Sequence, residues 1–89
     1  MLKHRHLERI VKGFANHRRI QIMELLNDSP EISVTDVSNK LKINIKTASE
    51  HIRRLAISGL VLKRSRGINV LHKLSPQGAI ILKFLRKLE

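Results

Sequence analysis

The chain has 89 residues, of which 42% are hydrophobic, and its 18 Lys and Arg against 7 Asp and Glu give a formal net charge of +11. The length and the apolar fraction together predict one folded domain over residues 1–89 and exclude a disordered basic tail. The charge predicts a polyanionic partner, and the lack of cysteine excludes disulfides, thiolate zinc sites and thiol catalysis.

Two helical patterns occupy the first third of the chain. Apolar residues recur at helical spacing from Leu7 to Phe14, and Gly13 and Asn16 mark the end of that segment. A second pattern covers residues 20–26 and stops at the turn cluster of residues 27–30, which contains a proline. Both segments are predicted to be helices, the first with one apolar face.

A pair of helices joined by a short break follows. Ser33 is predicted to cap the third helix, and Asp36, three residues later, completes a capping box. Asn44 is predicted to cap the fourth helix, which continues to about Ser58. Gly59 stands where helices commonly end in the left-handed conformation, so the helical region closes there.

Beyond the fourth helix the apolar pattern changes to that of strands. Residues 60–64 and 69–74 are predicted to pair around a basic tip at residues 65–68, and Ser75-Pro76 opens a last helix. Four helices, a hairpin and a last helix form a mainly α fold with a small β-hairpin. This order is typical of a winged helix-turn-helix, with a two-stranded wing and a C-terminal helix.

The fourth helix and the hairpin carry the residues predicted to contact DNA. A recognition helix enters the major groove with its N-terminal part foremost, where basic side chains reach guanine edges or phosphates. A basic hairpin holds phosphates or enters the minor groove. The predicted DNA-binding residues are Asn44, Ile45, Lys46, Thr47, Ser49, Glu50, Arg53, Arg54, Lys63, Arg64 and Arg66.

These basic surfaces also have a plainer interpretation. A charged helix face is commonly just solvated, and lysines on a hairpin can serve only to prevent edge pairing. Glu50 is the one acid on the predicted groove face. It is expected either to pair with Arg54 four residues later or to accept a hydrogen bond from cytosine.

The first and last helices are predicted to form a homodimer. The last helix is apolar on nearly all sides, and one small core covers only part of that surface, so the remainder needs another subunit. The alternative is a monomer in which the last helix packs along the first. The predicted interface residues are Leu7, Ile10, Val11, Phe14, Ile80, Ile81, Phe84, Leu85 and Leu88.

Several segments resemble the ArsR-type winged-helix regulators. Residues 15–26 are similar to the opening of these proteins, residues 32–37 to their third-helix segment, and residues 43–55 and 58–61 to their recognition helix and its end. Residues 74–78 resemble the entry to the last helix in MarR-like and PadR-like relatives. The resemblance implies a dimeric bacterial or archaeal transcriptional regulator that pairs through its terminal helices.

The chain departs from the metal-sensing members of that family. Those members carry cysteines in the segment that matches Ser33 to Thr35, or His and acids on the last helix, where only Glu89 stands here. No metal or cofactor is therefore predicted, and the sequence leaves open which effector, if any, is sensed. The acids form no acid/base pair and no phosphate loop or nucleophile motif is present, so an enzyme is not expected.

The sequence as a whole predicts a regulator, acting as a repressor, that binds specific double-stranded DNA as a homodimer. A cytoplasmic, nucleoid-associated location is expected, because no secretory signal is found and the longest apolar run, residues 79–82, is too short to span a membrane. One alternative is an architectural DNA- or RNA-binding winged helix without sequence preference. Another is a protein-interaction module whose charge only aids solubility.

Overall fold

The computed structural model describes residues 2–89. Within them, five helices surround the base of one antiparallel two-stranded sheet, and the predicted order of four helices, a hairpin and a last helix is confirmed. The elements are α1 (Leu2–Phe14), α2 (His17–Asp28), α3 (Val34–Leu41), α4 (Ile45–Ile57), β1 (Val61–Arg66), β2 (Asn69–Leu74) and α5 (Pro76–Arg86).

Local hydrogen bonds at the helix N-termini account for where the helices begin. The Ser33 hydroxyl accepts from the Asp36 N–H and the Asp36 carboxylate accepts from the Ser33 N–H, both at 3.1 Å, so the predicted capping box is formed. Asn44 and Ser75 cap α4 and α5 as predicted. Asn16 is the N-cap of α2. Replacing a cap of this kind by alanine costs about 1 kcal/mol.

Two element boundaries differ from the prediction. Helix α1 already includes Leu2, well before the apolar pattern that opens at Leu7, because the intervening polar residues are exposed and add no apolar period. Strand β1 extends to Arg66, which pairs with Asn69, and the turn is confined to residues 67–68. A two-residue turn with a glycine at positive φ lets the ladder continue to the tip.

The core lies where α2, α4, the sheet base and α5 meet. The inward face predicted for α4 is confirmed, since Ala48, Ile52 and Leu55 are all buried. Helix α1 packs on α4, and α5 packs on α2 and β2. The other buried apolar residues are Ile10, Ile22, Met23, Leu26, Val37, Leu60, Val61 and Leu82.

One residue of the predicted subunit interface belongs instead to this core. Ile10 is only 7% exposed and packs within its own chain, so it offers almost no surface to the subunit interface for which it was predicted. A side chain that is already buried has no surface left to cover. Phe14, Ile81 and Leu85 are half-buried, and the remaining predicted interface residues are exposed.

The base of the hairpin is pinned to the loop between α2 and α3. The N–H of His72 donates to the carbonyl of Ile32 at 2.8 Å, and the N–H of Glu31 donates to the carbonyl of His72 at 2.8 Å. The His72 ring is 5% exposed, with Nδ1 at 3.1 Å from the Ile32 carbonyl oxygen. These bonds fix the direction in which the wing leaves the body.

Candidate nucleic-acid interface

The outward face of α4 presents a row of polar and basic side chains to solvent. Lys46, Thr47, Ser49, Glu50 and Arg53 are all exposed, on the side opposite the buried stripe of the helix. The Asn44 side chain accepts from the Lys46 N–H at 2.7 Å and so caps the first turn. Ile45 is also exposed in that turn. The N-terminal half of α4 is therefore free to enter a groove.

Glu50 holds two arginines of α4 in fixed orientations. Arg53 donates to both carboxylate oxygens of Glu50, at 3.0 Å from Nε and 2.8 Å from Nη2, and Arg54 Nε donates at 2.9 Å. The hydrogen bond from Arg53, followed by that from Arg54, lowers the pKa of Glu50 from 4.5 to about 2. All three side chains are about half exposed, so the cluster orients the guanidinium groups more than it stabilises the fold.

The structure brings α4 and the wing together along one shallow depression. Its lining includes Ser49 and Arg53 from α4 and Lys63 and Val70 from the wing, with His72 at its inner end. Two of the predicted DNA-binding residues of the helix thus adjoin one from the hairpin. This shared surface has the layout that a groove-reading helix flanked by a phosphate-contacting wing requires.

The three basic residues of β1 do not lie on one face of the hairpin. Side chains alternate along a strand, and Lys63 pairs with the buried His72, which places it on the side of α4. Arg64 and Arg66 face the opposite side. Arg64 is further restrained, because its Nε donates to the Glu31 carboxylate at 2.7 Å. Only Arg66 projects near the tip.

The tip combines a basic side chain with an apolar one. Ile68 in the turn is fully exposed, and Arg66 beside it is exposed as well. Gly67 adopts a φ of 62°, a backbone conformation that other residues rarely take. An arginine next to an unsupported aliphatic side chain suits entry into a minor groove, where charge and apolar contact both act.

Sequence reasoning missed the residues that fix this surface from a distance. Glu31 restrains Arg64, and Arg19 donates from Nε to His51 Nδ1 at 3.1 Å. Burial, followed by the charge of Arg19, lowers the pKa of His51. These pairs are separated by 33 and 32 residues, so no local pattern could have revealed them.

Metal sites and membrane spans are two further features that bear on function. In residues 2–89 no three His, Asp or Glu side chains come together as a group that could hold a metal ion. No helix in the part of the chain that the structure describes is long and apolar enough to cross a membrane.

Comparison with known proteins adds a family and a fold. The family model described as bacterial regulatory protein, arsR family, matches residues 16–63, which run from the cap of α2 into β1. The transcriptional activator HlyU of Vibrio cholerae is 36% identical over 66 residues, which are 74% of this chain. The match spans 60% of the length of that relative, less than two thirds.

Solved structures share the whole architecture. A homodimeric winged helix-turn-helix DNA-binding domain from Mycobacterium bovis superposes with a TM-score of 0.85 at 27% identity, covering 93% of this chain and 77% of that one. HlyU from Vibrio cholerae gives a TM-score of 0.83 at 30% identity, covering 97% and 94% of the two chains. The predicted winged helix-turn-helix fold is thereby confirmed.

Proposed function

Since the chain belongs to the arsR family of bacterial regulatory proteins, we propose that it binds specific double-stranded DNA as a homodimer and regulates transcription. The observation that carries the proposal is the continuous exposed surface formed by Ser49 and Arg53 of α4 with Lys63 of the wing. A net charge of +11 supplies the attraction to a polyanion. No catalytic role is proposed.

Different residues of this surface are proposed to contact different parts of the duplex. The first half of α4, with Lys46, Thr47 and Ser49, is proposed to meet base edges, and Ile45 to meet a thymine methyl group. Arg53, held by Glu50, extends this row toward the wing. The wing is proposed to contact phosphates, chiefly through residues at its tip and its α4 side.

The homodimer is proposed on the apolar surface that the chain leaves uncovered. Leu7 and Val11 of α1 are exposed, as are Ile80, Phe84 and Leu88 at the other end of the chain, with Phe84 54% exposed. Helix α5 packs on α2 and β2, and its buried residues are Gly78 and Leu82. The similar domain from Mycobacterium bovis is homodimeric, and two-fold pairing would set two recognition helices about one DNA turn apart.

Selection of bound duplexes from a random pool tests the DNA proposal. We expect an enriched inverted repeat whose half-sites are separated by about one helical turn or a multiple of it. Salt-sensitive retention without enrichment would favour an architectural DNA- or RNA-binding protein. Failure to retain any duplex at low salt would favour a protein-interaction module.

Sedimentation at micromolar concentration tests the dimer. The wild type is expected to sediment as a dimer and the Phe84→Glu/Leu88→Glu variant as a monomer, because two charges cannot be buried unpaired in an apolar interface. Leu62→Glu/Ile68→Glu is the matched control, since it adds two charges at exposed apolar positions of the wing. A wild-type monomer, or a charged variant that still dimerises, would contradict the proposal.

The direction of regulation is proposed to be repression, in a cytoplasmic, nucleoid-associated protein. The argument is steric, because a dimer seated across a promoter excludes other proteins from the same groove surface. The relative from Vibrio cholerae is an activator by name. A reporter with the selected site placed either over or upstream of the promoter separates the two outcomes, and activation from the upstream site alone would reverse the assignment.

A further inference from the structure

An open cleft between α1 and α4 carries a second basic surface, separate from the wing. The cleft runs along the outer side of α1 and reaches the C-terminal half of α4. One acid, Glu8, is found among the described residues that line it. Its cationic lining consists of Arg5, Arg9, Lys12, Arg19, Arg53 and Arg54.

The floor of the cleft is closely packed and hydrogen-bonded. Helix α1 approaches the end of α4 so closely at Gly13 that any Cβ there would collide with Ser58. Arg19 spans the junction, donating to His51 and, from Nη1, to the carbonyls of Lys12 and Gly13 at 3.2 and 3.3 Å. One guanidinium is therefore held in a fixed position at the base of the cleft.

The charge of this surface is only partly compensated. Glu8 pairs with Lys12 at 3.3 Å, and Glu50 pairs with Arg53 and Arg54. The ion pairs formed among residues 2–89 include neither Arg5 nor Arg9. The exposed guanidinium groups of Arg5 and Arg9 thus form no ion pair in this part of the chain, and they share the cleft with the guanidinium of Arg19, which is held by hydrogen bonds.

The position of the cleft points to its partner. Arg53 belongs both to the exposed row of α4 and to the cleft lining, so the two surfaces are continuous. At 3.6 residues per turn, Arg5 and Arg9 lie about 150° around α1 from the apolar Leu7 and Val11. A subunit docked on the apolar face would therefore leave the cleft open.

We propose that this cleft binds the sugar-phosphate backbone of the duplex that α4 reads, with Arg5 and Arg9 contacting phosphates beside the occupied major groove. The inference rests on the proposed DNA-binding function and adds α1 to the contact surface. Guanidinium groups match phosphate oxygens with two parallel hydrogen bonds, and five of the six cations are arginine. Arg19 contributes a fixed charge behind them.

The test compares two double variants that each remove two positive charges. Arg5→Ala/Arg9→Ala alters the cleft, whereas Lys83→Ala/Arg86→Ala alters a surface beside Asn27, about 12 Å further along α2 than Arg19. Dissociation constants are measured from 50 to 200 mM salt on a selected duplex and a scrambled one, after circular dichroism confirms that each variant is folded.

The cleft variant is expected to bind both duplexes more weakly, on the order of tenfold at moderate salt. The slope of log K against log salt should become shallower by about 0.9 for each phosphate that the variant no longer neutralises. The ratio between selected and scrambled duplex stays unchanged. The control variant is expected to show a much smaller change in slope, because its charges lie off the contact surface.

Three outcomes would overturn the inference. If the wild type binds duplex and the two variants have equal slopes, the cleft does not contact DNA, although the proposed function stands. If the wild type binds no duplex, the proposed function fails first. If tripolyphosphate binds the wild type and not the cleft variant, while both bind duplex equally, the cleft serves a free polyphosphate.

Discussion

Helix α4 and the wing both carry net positive charge but hold it in different ways. On α4, Arg53 is fixed by two hydrogen bonds to Glu50, in the middle of a helix whose other face is fully buried. On the wing, Arg66 ends a two-stranded ladder beside the exposed Ile68. Base readout needs side chains in fixed geometry, whereas phosphate attraction needs only nearby charge. We therefore expect α4 to supply specificity and the wing to supply affinity.

The base and the tip of the wing also differ in how firmly they are held. A lone two-stranded hairpin is marginally stable in water, so its base needs support from the body. That support comes from the bonds between His72 and Ile32 and from the Arg64–Glu31 ion pair. The wing is therefore held more firmly at its base than at its tip, and we expect the tip to adjust to the path of a bound duplex.

The largest expected effect involves both regions together and is the dependence of affinity on salt. If the dimer neutralises six to ten phosphates, the association constant falls by about 10³–10⁵ between 50 and 200 mM salt. Fluorescence anisotropy of a labelled duplex measures it. An affinity that stays flat over this range would contradict electrostatic binding by either surface.

Single substitutions are expected to have a smaller effect on binding, and one that distinguishes α4 from the wing. Lys46→Ala and Arg53→Ala are expected to lower discrimination between selected and scrambled duplexes by roughly 5- to 150-fold each, the value of one good contact to a base edge. Arg66→Ala is expected to weaken both duplexes alike. Binding of each variant to both duplexes decides the point. Loss of discrimination in Arg66→Ala alone would reverse the assignment.

The Glu50→Gln variant tests how the acid on α4 contributes to specificity, in the same comparison of α4 with the wing. Without the carboxylate, Arg53 and Arg54 are released and gain freedom to meet any phosphate, so non-specific affinity should rise a few-fold and discrimination should fall. Glu89→Gln removes one negative charge at the end of the chain and serves as the control. Unchanged binding by Glu50→Gln would leave Glu50 with only its role inside the helix.

The smallest expected effect is a pH dependence at the wing base. Burial lowers the pKa of His72 below its usual 6.5, so between the two pKa values the unfolded chain binds more protons than the folded one. The contribution of the neutral ring is complete above pH 6.5 and is lost as the pH falls through the folded pKa. Thermal unfolding at pH 7.5 and 5.5 measures the difference.

His51 titrates in the same direction, because its pKa is lowered too, and the control must separate the two rings. His72→Gln, which keeps a donor for the Ile32 carbonyl, is expected to lower Tm at pH 7.5 but to lose less on acidification than the wild type. Hydrogen exchange should show that the stability lost on acidification is lost at the base of the wing. An identical pH dependence in both proteins would remove His72 as its source.

Several features of this protein follow from the sequence by itself. The caps at Ser33, Asn44 and Ser75 act within one helical turn, so the residues that form them stand close together in the chain. The inward stripe of α4 repeats at helical period for the same reason. Element order, the winged architecture and the exposed row on α4 could therefore all be predicted.

Other features were decided only by tertiary structure. The depth of Ile10 depends on where α1 packs against the rest of the chain, and the α1–α4 cleft exists because Gly13 permits that close approach. The Arg64–Glu31 and Arg19–His51 contacts join residues 33 and 32 positions apart. Such contacts leave no period in the sequence, because they form when separate elements fold onto one another, and it is these contacts that orient the wing and hold the cleft.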